Sequence, residues 1–155
     1  MPAALRILGI AGSLRKGSFN RAALRVAQQI MPEGAVLDAF ELDDIPPFNQ
    51  DKEQPLPEPV QRLKAAVQAA DAILFVTPEY NYSMPGVLKN AIDWGSRPPG
   101  QSVWGGKPCA IMGASPGMFG SARAQYHLRQ VCTALNLLPL NQPEVMIAAA
   151  ADKFD

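Results

Sequence analysis

Three short runs of this sequence, Leu5 to Ala11, Ala72 to Thr77 and Cys109 to Ala114, are apolar at nearly every position rather than at alternate ones. A strand of that kind has both faces out of water, so it belongs in a parallel sheet sandwiched between helices. Ala35 to Leu42 alternates more weakly through Val36, Asp38 and Phe40 and reads as a strand nearer an edge, and Pro143 to Ile147 reads as a fifth. The segments between them carry helical spacing. Ala23, Ala27 and Ile30 mark the inner face of a helix after Asn20, and Val60, Leu63, Val67 and Ala70 mark one opened by Pro57 and Pro59. Val87, Leu88, Ala91 and Ile92 mark a third, and Ala124, Leu128, Val131 and Leu135 a fourth after Ser121. Strand and helix alternate throughout, and crossovers between parallel strands are right-handed. The order predicts an α/β chain with a doubly wound sheet and helices on both faces.

The 155 residues suffice for one domain, residues 1–155, with a real core, and a 48% apolar content excludes disorder. The longest apolar runs, such as Ala72 to Val76, are far too short to cross a bilayer. Met1-Pro2-Ala3-Ala4-Leu5-Arg6 leads straight into a strand and lacks a signal-peptide layout, so a cytoplasmic protein is expected. The pattern stops short of a fifth helix. Either the sequence is part of a longer chain or one sheet face lies partly bare. A bare strip costs ~25 cal/mol per Å² of apolar surface, which favours the first.

A formal net charge of zero argues against nucleic acid or an anionic membrane as the main partner. The distribution is more informative. Residues 1–32 hold five basic side chains (Arg6, Arg15, Lys16, Arg21, Arg25) and no acid, and residues 33–59 hold eight acids and only Lys52. The acidic stretch, with its prolines at 46, 47, 55, 57 and 59, reads as a solvated loop within the domain. Cys109 and Cys132 have no metal spacing and read as two small buried hydrophobes. His127, the sole histidine, reads as a solvent-facing helix residue, and nothing in the sequence suggests a metal site.

Three loops carry the chemistry. Gly12-Ser13-Leu14-Arg15-Lys16-Gly17-Ser18-Phe19-Asn20 follows the first strand and opens the first helix, where unpaired N–H groups favour an anion. Ser13, Ser18 and Asn20 add hydrogen bonds and Arg15 a charge-assisted one. Lys16 precedes Gly17, so this is no Walker A loop, and the glycines at 9, 12 and 17 have the wrong spacing for a dinucleotide fingerprint. Thr77 to Gly86 follows the third strand, which this topology places beside the first. Tyr80 and Tyr82 could stack beside a planar ring there, while backbone groups bond its edge. Gly113-Ala114-Ser115-Pro116-Gly117-Met118-Phe119-Gly120 follows the fourth strand toward the same crevice, its small residues allowing close backbone approach to a flat ligand. One anion loop and one aromatic loop at a shared crevice describe a site for flavin mononucleotide (FMN).

The same stretches, G-S-L-R-K-G-S-F-N-R after a strand, P-E-Y-N-Y-S-M-P-G-V-L-K-N-A-I-D-W, and G-A-S-P-G-x-x-G, resemble the NADPH-dependent FMN reductase family over nearly the whole chain, Arg6 to about Asp152. The resemblance implies a flavodoxin-like five-stranded sheet of order 2-1-3-4-5, here without its last helix. It also implies FMN and NAD(P)H as cofactors and a homodimer or homotetramer with the flavin near a subunit interface. Carried over by position, Ser13, Arg15, Ser18 and Asn20 would hold the phosphate. Pro78, Glu79, Tyr80 and Asn81 would border the isoalloxazine, with Ser115 nearby. Tyr82, Ser83, Asp93, Trp94 and Arg97 would lie toward the dimer contact or the nicotinamide entrance, and Arg97 or Lys107 could meet a 2′-phosphate.

The expected activity is hydride transfer from NAD(P)H through bound FMN to a quinone, free flavin, azo compound or chromate, in ping-pong fashion. No side chain is expected to act as a catalyst, because the flavin carries the hard chemistry. Glu79, bracketed by Pro78 and Tyr80, reads as a positioning group rather than a proton donor. The rival is a flavodoxin-type electron carrier without enzymatic turnover; such carriers tend to be strongly acidic, and this chain is not.

Overall fold

Leu5–Ala11 forms strand β1, paired in parallel with β2 (Ala35–Phe40) on one side and β3 (Ala72–Val76) on the other. A computed structural model gives these positions and describes residues 4–154. The readings that concern Met1, Pro2, Ala3 and Asp155, including the ends of the single domain, lie outside the described residues. Beyond β3 comes β4 (Pro108–Ala114), also parallel, and the sheet order is β2-β1-β3-β4-β5. This is the flavodoxin-like doubly wound arrangement expected.

The far edge differs from expectation. A single strand from Pro143 is predicted, but two pieces form: β5 (Leu138–Pro139) pairs with the start of β4, and β6 (Val145–Ile147) with its end. Pro139 and Pro143 have no N–H to give a ladder, so the chain leaves β4 between them. The second piece matters, because it carries the chain back to the loops at the C-terminal ends of the strands.

Four helices cover the sheet among the described residues. α1 (Phe19–Gln29) lies on one face, its Ala23 and Leu24 packed with Ala11, Leu37 and Val76 of the strands. α2 (Glu58–Ala69), α3 (Gly86–Gly95) and α4 (Ala122–Ala134) cover the other, over a larger core that includes Leu63, Phe75, Leu88, Trp104, Leu128 and Cys132. The predicted inner faces of α2 and α4 hold. In α1, Ile30 does not face inward; it stands past the last turn, 74% exposed. The two cysteines are free and buried, their sulfurs 3.9 Å apart. The hydrogen bond to Cys132, together with burial, pushes the Cys109 thiol far above its ordinary range.

Helix ends explain how the loops are placed. Ser18 caps α1, its Oγ accepting from the N–H groups of Asn20 at 3.2 Å and Arg21 at 3.4 Å. Pro57 precedes α2 and Pro59 sits in its first turn, where a missing N–H costs nothing. The proline-rich loop is tied to α3: the Pro46 carbonyl accepts from Asn90 Nδ2 at 2.9 Å and Trp94 Nε1 at 2.8 Å. On the α1 side of the sheet, Ile7, Leu74 and Ala110 floor an open apolar trough of about 660 Å³ between Ala27 and Met31 on one side and Leu138 and Leu140 on the other.

Candidate functional site

In an open parallel sheet, ligands collect beyond the C-terminal strand ends, where the strand order reverses. Here that point lies between β1 and β3. A crevice of about 250 Å³ opens there, lined by Ser13, Arg15 and Ser18 from the loop after β1, Phe19 and Asn20 from the start of α1, Pro78, Glu79 and Tyr80 from the loop after β3, Ala114 at the end of β4, and Ser115 and Pro116 from the loop after it. Eight of the nine predicted site residues therefore meet. Asn81, the ninth, is exposed and off the crevice wall. The trough on the sheet face is larger, but its walls offer almost no polar group to a phosphate.

The first loop is shaped for an anion. Gly12 N–H donates to the Val76 carbonyl at 2.9 Å and Ser18 N–H to the Arg15 carbonyl at 3.0 Å. The N–H groups of Leu14, Lys16 and Gly17 have no partner among the described residues. Ser13 and Ser18 are buried at the mouth of α1, whose N-terminus adds a partial positive charge. Arg15 lies over the Phe19 ring, 5.8 Å from its centroid, and Phe154 stacks on Phe19 at 6.1 Å.

Asn20 has a structural task beside the one its position suggests. Its Nδ2 donates to the Ala114 carbonyl and its Oδ1 accepts from the Ala114 N–H, both at 2.9 Å. Both ends of the amide are thus engaged by the backbone of β4. Asn20 clamps the first loop to the third and lines the crevice as wall.

The loop after β3 is a closed turn: Tyr80 N–H donates to the Ser83 carbonyl at 2.9 Å, and Ser83 N–H to the Tyr80 carbonyl at 3.0 Å. Its two central residues, Asn81 at φ 49° and Tyr82 at φ 68°, are left-handed. That conformation costs a non-glycine residue about 1–2 kcal/mol, so neighbouring structure must hold it. Tyr80 turns to the crevice and Tyr82 away from it.

Glu79 is a helix cap. Its Oε2 accepts from the N–H groups of Arg123 at 3.0 Å and Ala124 at 3.4 Å, and its Oε1 pairs with the Arg123 guanidinium. The carboxylate is engaged at both oxygens and 8% exposed, the arrangement of a positioning group. In the third loop, Ser115 N–H donates to the Ile147 carbonyl at 3.0 Å and Ala150 N–H to the Ser115 carbonyl at 3.0 Å. β6 and the turn after it thus brace that wall. Gly113 is small for a reason internal to the protein: a Cβ there would lie 2.0 Å from Ser121 Oγ and 2.1 Å from the Thr77 carbonyl oxygen.

The residues expected toward an entrance divide. Tyr82 and Ser83 stay at the rim. Asp93 pairs with Lys89 along α3, and Trp94 is wholly buried, its ring edge-on to Phe48. Arg97 pairs with Glu53 at 2.6 Å, beyond the C-terminus of α3. Lys107 precedes β4 and donates to the Gln68 and Ala70 carbonyls. Arg97 and Lys107 both lie near the N-terminal ends of the strands, and neither lines the crevice of its own chain. Sequence reading missed Arg123. Its signal was a cation in the first turn of a helix, where the macrodipole disfavours positive charge.

With this geometry in hand, the chain matches the NADPH-dependent FMN reductase family over residues 5–152. It is 55% identical over 152 residues to an NAD(P)H-dependent FMN reductase of Pseudomonas aeruginosa, a match covering 97% of this chain and 82% of that one. It is 47% identical to a 2-hydroxy-1,4-benzoquinone reductase of a Burkholderia species, covering 98% and 83%. Among solved structures it resembles the flavoenzyme NAD(P)H:(acceptor) oxidoreductase FerB of Paracoccus denitrificans, with TM-score 0.89, 40% identity, and coverage of 93% of this chain and 79% of that one.

Proposed function

The chain belongs to the NADPH-dependent FMN reductase family, and we propose that the crevice between Ser13, Ser18, Tyr80 and Ser115 is where it holds FMN. It is an oxidoreductase that draws on NAD(P)H and FMN to reduce acceptors of the quinone class. Bound there, the flavin supplies a two-electron centre between nicotinamide and acceptor. The observation that supports the assignment best is the convergence of Ser13, Arg15 and Ser18, at the N-terminus of α1, with Tyr80 and Ser115 on one crevice.

Each residue then has a defined task. Ser13, Ser18, Arg15 and the loop N–H groups hold the terminal phosphate, as hydrogen-bond donors and a cation suited to a dianion. Asn20 fixes the distance between the first and third loops. Pro78, Glu79, Tyr80 and Ser115 border the ring, chiefly through backbone, and Asn81 shapes the turn beside them. No side chain forms a covalent bond to substrate. Free flavins, azo compounds and chromate are further acceptors in this reading, since an exposed ring discriminates little among oxidants. The chain works in the cytoplasm; no helix among the described residues is long and apolar enough to cross a membrane.

The crevice rim also serves self-association. Tyr82, Met118, Phe119 and Tyr126 are exposed large apolar side chains around the N-terminus of α4, a natural contact for a homodimer or homotetramer. Sedimentation of the holoprotein should give the mass of two or four chains, and a monomer at micromolar concentration would refute that part. The main test is optical. The purified protein reconstituted with FMN should bleach on rapid mixing with NADH or NADPH and recover its colour with a quinone. A flavin that stays oxidised sinks the assignment. One that bleaches without steady nicotinamide consumption points to an electron carrier.

A further inference from the structure

We propose that Arg123 is the positioning residue of the ring-side wall, locking the loop after β3 against α4 so that Tyr80 stands at the crevice. The inference rests on the FMN reading and deepens it. Arg123 is the second residue of α4. Its guanidinium lies between two rings, 3.7 Å from the Tyr82 centroid and 4.6 Å from that of Phe119. It therefore touches the loop after β3 and the loop after β4 at once, while its charge is met by Glu79.

Glu79 meets α4 in two ways, pairing with the Arg123 side chain and capping the helix backbone. Ser121, in the capping position of α4, is left-handed at φ 68°, and its side chain makes no cap; its Oγ accepts instead from Gln125 Nε2 at 3.2 Å. The helix N-terminus is therefore capped from outside, by the Glu79 carboxylate. One turn further on, His127 Nδ1 meets Ser83 Oγ at 2.9 Å. Positions i and i+4 of one helix face thus grip residues 79 and 83, which bracket the two left-handed residues, Asn81 and Tyr82. A strained turn held at both shoulders cannot relax. Tyr82 is drawn onto the guanidinium, and Tyr80, on the other side of the turn, is directed into the crevice.

Lysine is a poor substitute, because a point ammonium neither stacks between two rings nor fits a carboxylate with a planar fork. Arg123 Nε, buried and without a partner, shows that a single ion pair and the two stacked rings hold this side chain among the described residues.

The experiment compares wild type with Arg123→Ala, Arg123→Lys and Tyr82→Leu, using two independent readouts. In apoprotein, chymotryptic cleavage after Tyr80 should accelerate about tenfold in Arg123→Ala and less in the other two, at unchanged melting of the domain and unchanged sedimentation. In holoprotein, Arg123→Ala should raise the FMN dissociation constant about tenfold, shift the visible circular dichroism of the bound flavin, and lower kcat by up to about a hundredfold. Should Arg123→Ala fail to fold, Arg123→Lys and Tyr82→Leu carry the test. Folded variants with wild-type cleavage rates and wild-type flavin dichroism overturn the proposal. Wild type that binds no FMN overturns the cofactor reading instead, while the cleavage assay still decides the role of Arg123.

Discussion

At the level of single residues, the site was legible as a set and less so as individual tasks. Ser13, Arg15, Ser18, Tyr80 and Ser115 meet at one crevice, because a strand followed by small polar residues and a helix marks the C-terminal edge of a parallel sheet. Asn20 shows what a local reading cannot see. Its partner, Ala114, lies 94 residues away, and no spacing in the sequence announces that an amide will pair with both backbone groups of one strand residue. The structure makes Asn20 a test of scaffold against ligand. Asn20→Ala leaves a buried N–H and a buried carbonyl unpaired, and should destabilise the apoprotein by about 2–4 kcal/mol. Urea denaturation of apoprotein reads this directly. A loss equally large only in the presence of FMN would place the amide on the ligand instead.

Among the elements, the strands and helices that bury an apolar face were foreseen from periodicity, and what was missed depends on partners distant in sequence. The edge strand broke into β5 and β6 because Pro139 and Pro143 interrupt its ladder, and β6 still reaches β4 at Met112 to Ala114. The cap of α4 was invisible because it comes from Glu79, 44 residues upstream of Arg123. α1 is the contrasting case, capped by its own Ser18. Ser18 therefore has two separable roles: its oxygen accepts from Asn20 and Arg21, and its hydroxyl hydrogen remains to donate to a phosphate. Ser18→Ala should lower apoprotein stability by about 1 kcal/mol, the usual worth of such a cap. It should also weaken FMN binding beyond that, whereas Ser18→Gly should recover most of the stability and none of the affinity. Melting of apoprotein alongside flavin titration separates the two. Equal affinity in wild type and Ser18→Ala would remove Ser18 from the phosphate site.

Across the whole molecule, two concavities of opposite character share one sheet, and chemistry rather than size decides between them. The trough on the α1 face has more than twice the volume of the crevice, about 660 Å³ against about 250 Å³. Its floor of Ile7, Leu74 and Ala110 suits any apolar surface and gives a charged nucleotide nothing to bond. An anionic cofactor placed there would lose its hydration without compensation. At the crevice, helix dipole, loop N–H groups and Arg15 replace it. The two should therefore bind independently. An uncharged apolar dye such as Nile red should light up in the trough, and saturating FMN should not displace it. Ala110→Asp, which puts a carboxylate in the middle of the floor, should cut the dye signal severalfold while leaving the FMN dissociation constant within about twofold, because its effect at the crevice is screened by distance. Displacement of the dye by FMN, or loss of FMN binding in a folded Ala110→Asp, would move the cofactor from the strand ends to the sheet face.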